Sequence, residues 1–85
     1  MVLTKLYTDT CAPCKAMTPI IAKVLAEFPE IELKELNARS DEGSAKAAEL
    51  GVRNVPTLFL DDNYKHSGPM SESQLRDWIS NYQGA

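Results

Sequence analysis

The feature that most constrains this chain is a pair of cysteines, Cys11 and Cys14, placed between a strand pattern and a helix pattern. Residues 2–8 (VLTKLYT) are short and rich in β-formers, which predicts a strand. From Cys11 to about Phe28 apolar residues recur at three- and four-residue steps, which predicts an amphipathic helix. The cysteines should therefore lie at a helix N-terminus, where unpaired N–H groups and the helix dipole favour a thiolate.

Two cysteines so close in sequence can serve as a structural disulfide, as metal ligands or as a redox pair, or they can be inert. A purely structural disulfide is disfavoured, because the short loop that it would close removes little entropy from the unfolded chain. A structural zinc site needs four ligands, and the chain offers one cysteine pair and the distant His66 unless two chains share a metal. Redox exchange needs a nucleophilic thiolate and a second thiol that resolves the mixed disulfide. The spacing favours redox use over metal ligation and over inert cysteines, so we expect no bound metal.

The rest of the sequence predicts alternating strands and helices. Strands are expected at residues 31–36, 57–60 and 64–67, and helices at residues 41–50 and from Ser71 onward. Ser40 or Asp41 is the expected N-cap of the middle helix and Gly51 its C-terminal stop, while Ser71 and Gln74 have the spacing of a capping box. The order β-α-β-α-β-β-α predicts a single α/β domain over residues 1–85, with a four-stranded mixed sheet and helices on its faces.

Length and charge exclude several classes of function. The chain has 85 residues and a formal net charge of −3, without the basic patch or stripe that a nucleic-acid-binding protein would show. Its first ten residues alternate apolar and polar side chains, so no signal peptide or membrane span is expected. We therefore expect a cytoplasmic monomer in a reducing compartment.

Several motifs together resemble the thioredoxin superfamily, and in particular its thioredoxins or glutaredoxin-like proteins of minimal size. Residues 11–15 (CAPCK) resemble the thioredoxin CGPCK motif, and residues 50–57 (LGVRNVPT) resemble the run that ends in Val/Ile-Pro-Thr. Residues 6–8 (LYT) are similar to the Tyr-Thr of glutaredoxins. The resemblance implies a thioredoxin-like three-layer sandwich and a protein-disulfide reductase that carries electrons, with Cys11 as nucleophile and Cys14 as resolving cysteine.

The same resemblance implies a docking groove for protein disulfides. In this superfamily the proline that corresponds to Pro56 is cis and faces the CxxC motif, and a glycine loop completes the surface that grips partners. Carried over, the groove would contain Thr10, Ala12, Pro13, Val55, Pro56 and Gly68, with Ser67 and Pro69 beside the glycine. The implied partners are protein disulfides and a thioredoxin reductase-like electron donor, and no cofactor beyond the redox-active disulfide is implied.

Departures from the family pattern keep two alternatives open. Thr10 stands where thioredoxins usually have a tryptophan, and Trp78 in the last helix is predicted to be a core residue. Asp9 stands where glutaredoxins have a lysine that holds glutathione, and a like charge would repel its carboxylates. The alternatives are a glutathione-dependent glutaredoxin-like protein and a non-catalytic or iron–sulfur-ligating binding module.

One departure concerns charges behind the cysteines. Thioredoxins carry a buried aspartate in the strand before the CxxC and a lysine partner in the neighbouring strand, where this chain has Lys5 and Glu35. The hypothesis is that these two residues form a partly buried pair with exchanged signs behind Cys14, and that Glu35 relays the proton of this cysteine. The alternative is that both side chains reach solvent at strand ends.

Overall fold

The computed structural model describes residues 1–83, which contain four strands and three helices in the predicted order. The elements are β1 (Val2–Tyr7), α1 (Ala12–Leu25), β2 (Glu32–Asn37), α2 (Asp41–Leu50), β3 (Thr57–Leu60), β4 (Tyr64–Ser67) and α3 (Glu72–Gln83). None of the helices in this part of the chain is long and apolar enough to cross a membrane.

The strands form one mixed sheet in the order β2-β1-β3-β4. β1 pairs with β2 in parallel, as the β-α-β unit requires, and β3 is antiparallel to both β1 and β4. A tight turn joins β3 to β4, where Asp61 and Asp62 have positive φ angles of 53° and 60°. Aspartate tolerates this conformation better than most residues, which explains why the chain can reverse here without glycine.

Helices cover both faces of the sheet, so the predicted three-layer sandwich is confirmed. On one face α1 and α3 bury the larger cluster, which includes Leu3, Met17, Ile21, Val24, Ile31, Leu58, Leu60, Met70, Leu75, Trp78 and Ile79. On the other face α2 and the segment after it cover a smaller cluster of Leu6, Leu36 and Phe59. Because successive side chains of a strand point to opposite faces, Leu3 and Lys5 of β1 face α1 and α3, whereas Leu6 faces α2.

The first helix begins one residue later and ends earlier than predicted. Its N-cap is Cys11, whose extended backbone (φ −87°, ψ 105°) places it just outside the helix. The helix runs through Pro19 and ends at Leu25, not at the predicted Phe28. Phe28 directly precedes a proline, which disfavours helical backbone at that position, and its N–H instead makes a turn bond of 3.0 Å to the Leu25 carbonyl.

Smaller differences affect the first two strands and the apolar face of α1. β1 ends at Tyr7, not Thr8, and β2 covers residues 32–37, one residue later than predicted. Ala16 is one of the apolar residues that recur in the predicted helix, but it is exposed, because the buried side of α1 is the line through Cys14, Met17, Ile21 and Val24.

The caps of the other two helices are those predicted from the sequence. Ser40 is the N-cap of α2 and accepts a 3.0 Å bond from the Gly43 N–H, and Gly51 ends the helix in the left-handed region at φ 70°. Before α3, the Ser71 N–H donates to Gln74 Oε1 at 2.9 Å while the Gln74 N–H donates to Ser71 Oγ at 3.2 Å. This reciprocal pair is the predicted capping box.

Candidate active site

The two cysteines form a disulfide at the N-terminus of α1, and their environments differ. Cys11 is partly exposed, whereas Cys14 is only 1% exposed and belongs to the buried side of the helix. The Cys14 N–H donates a 3.1 Å hydrogen bond to Cys11 Sγ. An N-cap sulfur receives the unpaired N–H groups of the first turn, which stabilises negative charge on that sulfur. The local geometry therefore suits Cys11 to act as the accessible nucleophile and Cys14 as an internal thiol.

Three segments of the chain meet beside this disulfide because of the sheet register. Leu6 near the end of β1 pairs with Thr57 at the start of β3, and Thr57 pairs with Ser67 at the end of β4. The CxxC motif after β1, the Val55-Pro56 segment before β3 and the glycine loop after β4 therefore lie at one end of the sheet.

The segment before β3 and the glycine loop are joined directly. The Gly68 N–H donates a 2.8 Å bond to the Pro56 carbonyl, and Gly68 has a φ of 98°, a conformation that favours glycine. The Val55–Pro56 peptide bond is cis, as predicted. Thr57 fixes the strand start, because its hydroxyl donates to the Asn54 carbonyl at 2.6 Å.

The residues of the expected docking groove differ in exposure. Thr10, Ala12 and Pro13 are exposed around the disulfide. Val55 and Gly68 are half-buried, and Pro56 is fully buried beneath the surface. The CxxC turn is therefore the most exposed of the three segments. Their roles in binding stay predictions.

Lys5 and Glu35 are paired, as hypothesised. Their strands place them opposite each other, and Lys5 Nζ lies 3.5 Å from Glu35 Oε2. The Lys5 side chain is 3% exposed and that of Glu35 is 44% exposed. The alternative in which both side chains reach solvent is therefore wrong for Lys5. The relay role of Glu35 stays a prediction.

A cavity of about 390 Å³ is lined by this pair and by Cys14. Its lining includes Lys5, Tyr7, Thr8, Asp9, Cys14, Lys15, Thr18 and Glu35. Thr18 is the contact that the sequence analysis missed: its hydroxyl accepts a 2.9 Å bond from Lys5 Nζ. The available signal was its position four residues after Cys14, which places both on adjacent turns of one helix side.

Trp78 and His66, which the sequence analysis also named, do not belong to the site around the disulfide. Trp78 is a core residue, as expected, and its ring stacks on Tyr64 at a centroid distance of 5.0 Å. His66 is half-buried, with its ring edge-on to the Trp78 ring at a centroid distance of 6.3 Å. Within residues 1–83, no group of three or more His, Cys, Asp or Glu side chains is arranged to hold a metal ion.

Comparison with known proteins gives the family. The thioredoxin family model matches residues 1–82. Thioredoxin of Rickettsia conorii is 32% identical over 83 residues, which cover 93% of this chain and 78% of that protein. A probable thioredoxin of Archaeoglobus fulgidus is 34% identical over 85 residues, which cover 99% of this chain and 92% of that protein.

Solved structures agree with the sequence matches. A mutant thioredoxin from Halobacterium salinarum superposes with a TM-score of 0.77 at 35% identity, covering 95% of this chain and 73% of that one. Thioredoxin 1 from Thermosipho africanus superposes with a TM-score of 0.78 at 25% identity, covering 99% and 96% of the two chains. Since family model, relatives and structures all match almost the entire sequence, the chain belongs to the thioredoxin family.

Proposed function

We propose that this dithiol–disulfide oxidoreductase works as a thioredoxin-type electron carrier that reduces disulfides of client proteins. The observation that carries the proposal is the asymmetry of the Cys11–Cys14 pair, with one sulfur accessible at a helix N-terminus and the other buried one turn further in. This arrangement separates the nucleophile that meets the client from the thiol that resolves the intermediate.

The reaction proceeds in two exchanges. In the reduced protein, the Cys11 thiolate attacks one sulfur of the client disulfide, and the other client sulfur leaves as a thiolate that takes up a proton. Cys14, having lost its proton, then attacks Cys11 Sγ, so the Cys11–Cys14 bond forms and the mixed disulfide breaks. The second client sulfur leaves and is protonated. Two electrons pass from the protein to the client, and the two protons that the client sulfurs take up come from solvent, to which the Cys11 and Cys14 thiols have released theirs.

Unpaired backbone groups of Val55 support recognition of an extended client segment. Within residues 1–83, the main-chain N–H and C=O of Val55 make no hydrogen bond with other backbone groups. An extended peptide could add to this segment as a strand, held by main-chain bonds and therefore accepted with many sequences. We propose that Val55 supplies these bonds, with Thr10, Ala12 and Pro13 on one side of the bound segment and Gly68 on the other.

The charge beside the disulfide favours a protein electron donor over glutathione. Asp9 is exposed, and its carboxylate accepts a 3.3 Å hydrogen bond from Asn37 Nδ2 beside the cavity. A carboxylate there repels the carboxylates of glutathione. We therefore propose that a thioredoxin reductase-like enzyme restores the dithiol. We also propose a monomer in the cytoplasm that needs no bound cofactor, since a reducing compartment keeps such a carrier supplied with electrons.

The test is NADPH consumption during reduction of a disulfide-bonded protein, with thioredoxin reductase in one cuvette and glutathione plus glutathione reductase in the other. Turnover that requires the first enzyme, and both Cys11 and Cys14, is the expected result. Turnover with glutathione alone would make the protein glutaredoxin-like despite Asp9. No turnover in either cuvette would overturn the proposal, and a brown colour of the purified protein would then favour an iron–sulfur-ligating module.

A further inference from the structure

Lys5 is a cationic side chain in the interior of the sheet, and its surroundings define what it can do. It lies on β1, a central strand, and the whole residue is 2% exposed. Its ammonium donates to Thr18 Oγ1 at 2.9 Å and lies 3.5 Å from Glu35 Oε2, while its Nζ is 5.7 Å from the centre of the Tyr7 ring. Burying a charged side chain costs free energy unless the charge is paired. An apolar residue such as leucine would avoid this cost at the same position, so a lysine here is better explained by a function.

The ammonium of Lys5 is linked to Cys14 by geometry. Both residues line the cavity of about 390 Å³ at the start of α1. The Thr18 hydroxyl that accepts from Lys5 donates a long bond of 3.5 Å to the Cys14 carbonyl. Lys5 is therefore held against the helix turn that carries the resolving cysteine.

The other charges that face this cavity are more exposed to water. The titratable or charged groups around it are Lys5 and Tyr7 from β1, Asp9 from the following loop, Cys14 and Lys15 from α1, and Glu35 from β2. Asp9 and Lys15 are exposed residues of opposite charge, and Glu35 is nearly half exposed. Water and salt screen exposed charges more strongly than buried ones, so the ammonium of Lys5 is the least screened of the charges that line the cavity.

We propose that Lys5 is a positioning residue for the second exchange, in which its buried ammonium stabilises the thiolate of Cys14. This proposal rests on the proposed disulfide-exchange function. An ammonium carries no free lone pair and cannot accept the Cys14 proton, which passes to solvent. The cation instead lowers the pKa of the Cys14 thiol, so that more of it is ionised at neutral pH. Cys14 then attacks Cys11 Sγ and expels the client thiolate, as in the two-step exchange above.

The proposal differs from the relay hypothesis in the part given to Glu35. As a relay, Glu35 would accept the proton, and its removal would slow the second exchange. As the counter-ion of Lys5, Glu35 weakens the field at Cys14, and its removal would lower the pKa of this thiol. The two schemes therefore predict opposite effects of Glu35→Gln on one measurement.

The measurement is stopped-flow reaction of the reduced full chain with dithiobis(nitrobenzoate), whose thiolate leaving group is yellow. The first release reports attack by Cys11 and its rate rises with reagent concentration. The second release reports attack by Cys14 within the mixed disulfide and is independent of reagent concentration. Its rate, followed against pH, gives the apparent pKa of the Cys14 thiol without any reductase.

For Lys5→Met we expect the second release to slow about tenfold at neutral pH, with its pH midpoint about one unit higher and its rate at high pH unchanged. Lys5→Arg should keep the wild-type midpoint. The matched control is Lys34→Met, which removes another β-sheet lysine that pairs with a carboxylate, Glu42 at 3.2 Å, on the face covered by α2. This variant should behave as wild type.

For Glu35→Gln we expect a lower midpoint and a faster second release at neutral pH. Slowing by Lys5→Met equally at every pH would mean that Lys5 only holds the helix in place, and would overturn the proposal. An unchanged midpoint in Lys5→Met, or a slower second release in Glu35→Gln, would also overturn it. If the wild-type protein itself gave no reagent-independent release, the proposed function would fail first.

Discussion

At the scale of single residues, the division of labour between the cysteines follows from one turn of helix. Cys11 precedes α1 as its N-cap, so its sulfur meets both solvent and the free N–H groups of the first turn. Cys14 lies three residues on and shares the buried line of α1 with Met17. Exposure and the N–H groups of the first turn therefore favour reaction of client disulfides at Cys11, and burial restricts Cys14 to attack within the protein.

Single cysteine substitutions should separate these roles. Cys14→Ser is expected to form a stable mixed disulfide with a client protein, because nothing is left to resolve it. Cys11→Ser is expected to form none and to lose disulfide reduction by at least about a hundredfold, since the buried Cys14 sulfur cannot reach a large client. Intact-mass measurement of the adduct under non-reducing conditions checks both. Equal adduct formation by the two variants would contradict the assignment.

At the same scale, the sequence predicted which residues form the site better than it predicted what holds them. The cysteine pair was visible from its spacing, and the cis-proline segment and the Lys5–Glu35 pair were predicted from the resemblance to the thioredoxin superfamily. Thr18 was not predicted, because its spacing from Cys14 places it on the same side of α1 but does not indicate a bond to a strand. Its role depends on the crossing of α1 over β1, which only the packed structure defines.

At the scale of elements, α2 lies so close to β2 that one position admits only glycine. Gly43 is the buried residue of this helix, and a Cβ there would clash with the backbone carbonyl of Asn37 at the end of β2. The same carbonyl already accepts bonds from the Ser40 hydroxyl at 2.6 Å and from the Ser40 N–H at 3.0 Å. Helix propensity alone would favour alanine at Gly43, so the glycine is explained by close packing.

Gly43→Ala is therefore expected to destabilise the protein by about 1–3 kcal/mol, the usual effect of forcing extra volume into a packed contact. Ser44→Ala is the matched control, because Ser44 is the next residue of α2, is exposed and gains helix propensity. Urea unfolding followed by circular dichroism measures both. A Gly43→Ala variant as stable as the control would show that α2 can move away from β2 at little cost.

At the scale of the whole molecule, a cluster of charged side chains on the surface links α1 and the residues just after it to α3. Arg76 of α3 bonds to Glu27, just after α1, at 2.6 Å and to Glu72 at 2.8 Å, and Lys23 of α1 lies 3.2 Å from Glu72. The partners Glu27 and Arg76 are far apart in sequence, so no local pattern could reveal the cluster. A local pattern did predict the amphipathic face of α1, which packs in the same apolar cluster as residues of α3.

The cluster gives stability a defined dependence on pH. Hydrogen bonds from Arg76 hold the pKa of Glu27 and of Glu72 below the ordinary value of 4.5, and Lys23 adds to the effect on Glu72. A carboxyl whose pKa is lowered by folding stabilises the folded state above its unfolded pKa, and this contribution is lost as the pH falls through the lowered folded pKa. The groups are solvent-exposed, so the effect should be small and sensitive to salt.

Arg76→Met should consequently lower the melting temperature by a few degrees near neutral pH, and the gap from wild type should close as the pH falls below about 4.5. Lys65→Met, on an exposed position of β4 away from the cluster, serves as the control for loss of one positive charge. Thermal unfolding of the three proteins over a pH series at low and high salt checks this. A gap that persisted unchanged in acid would mean that the aliphatic part of Arg76, packed between the helices, is what stabilises the contact.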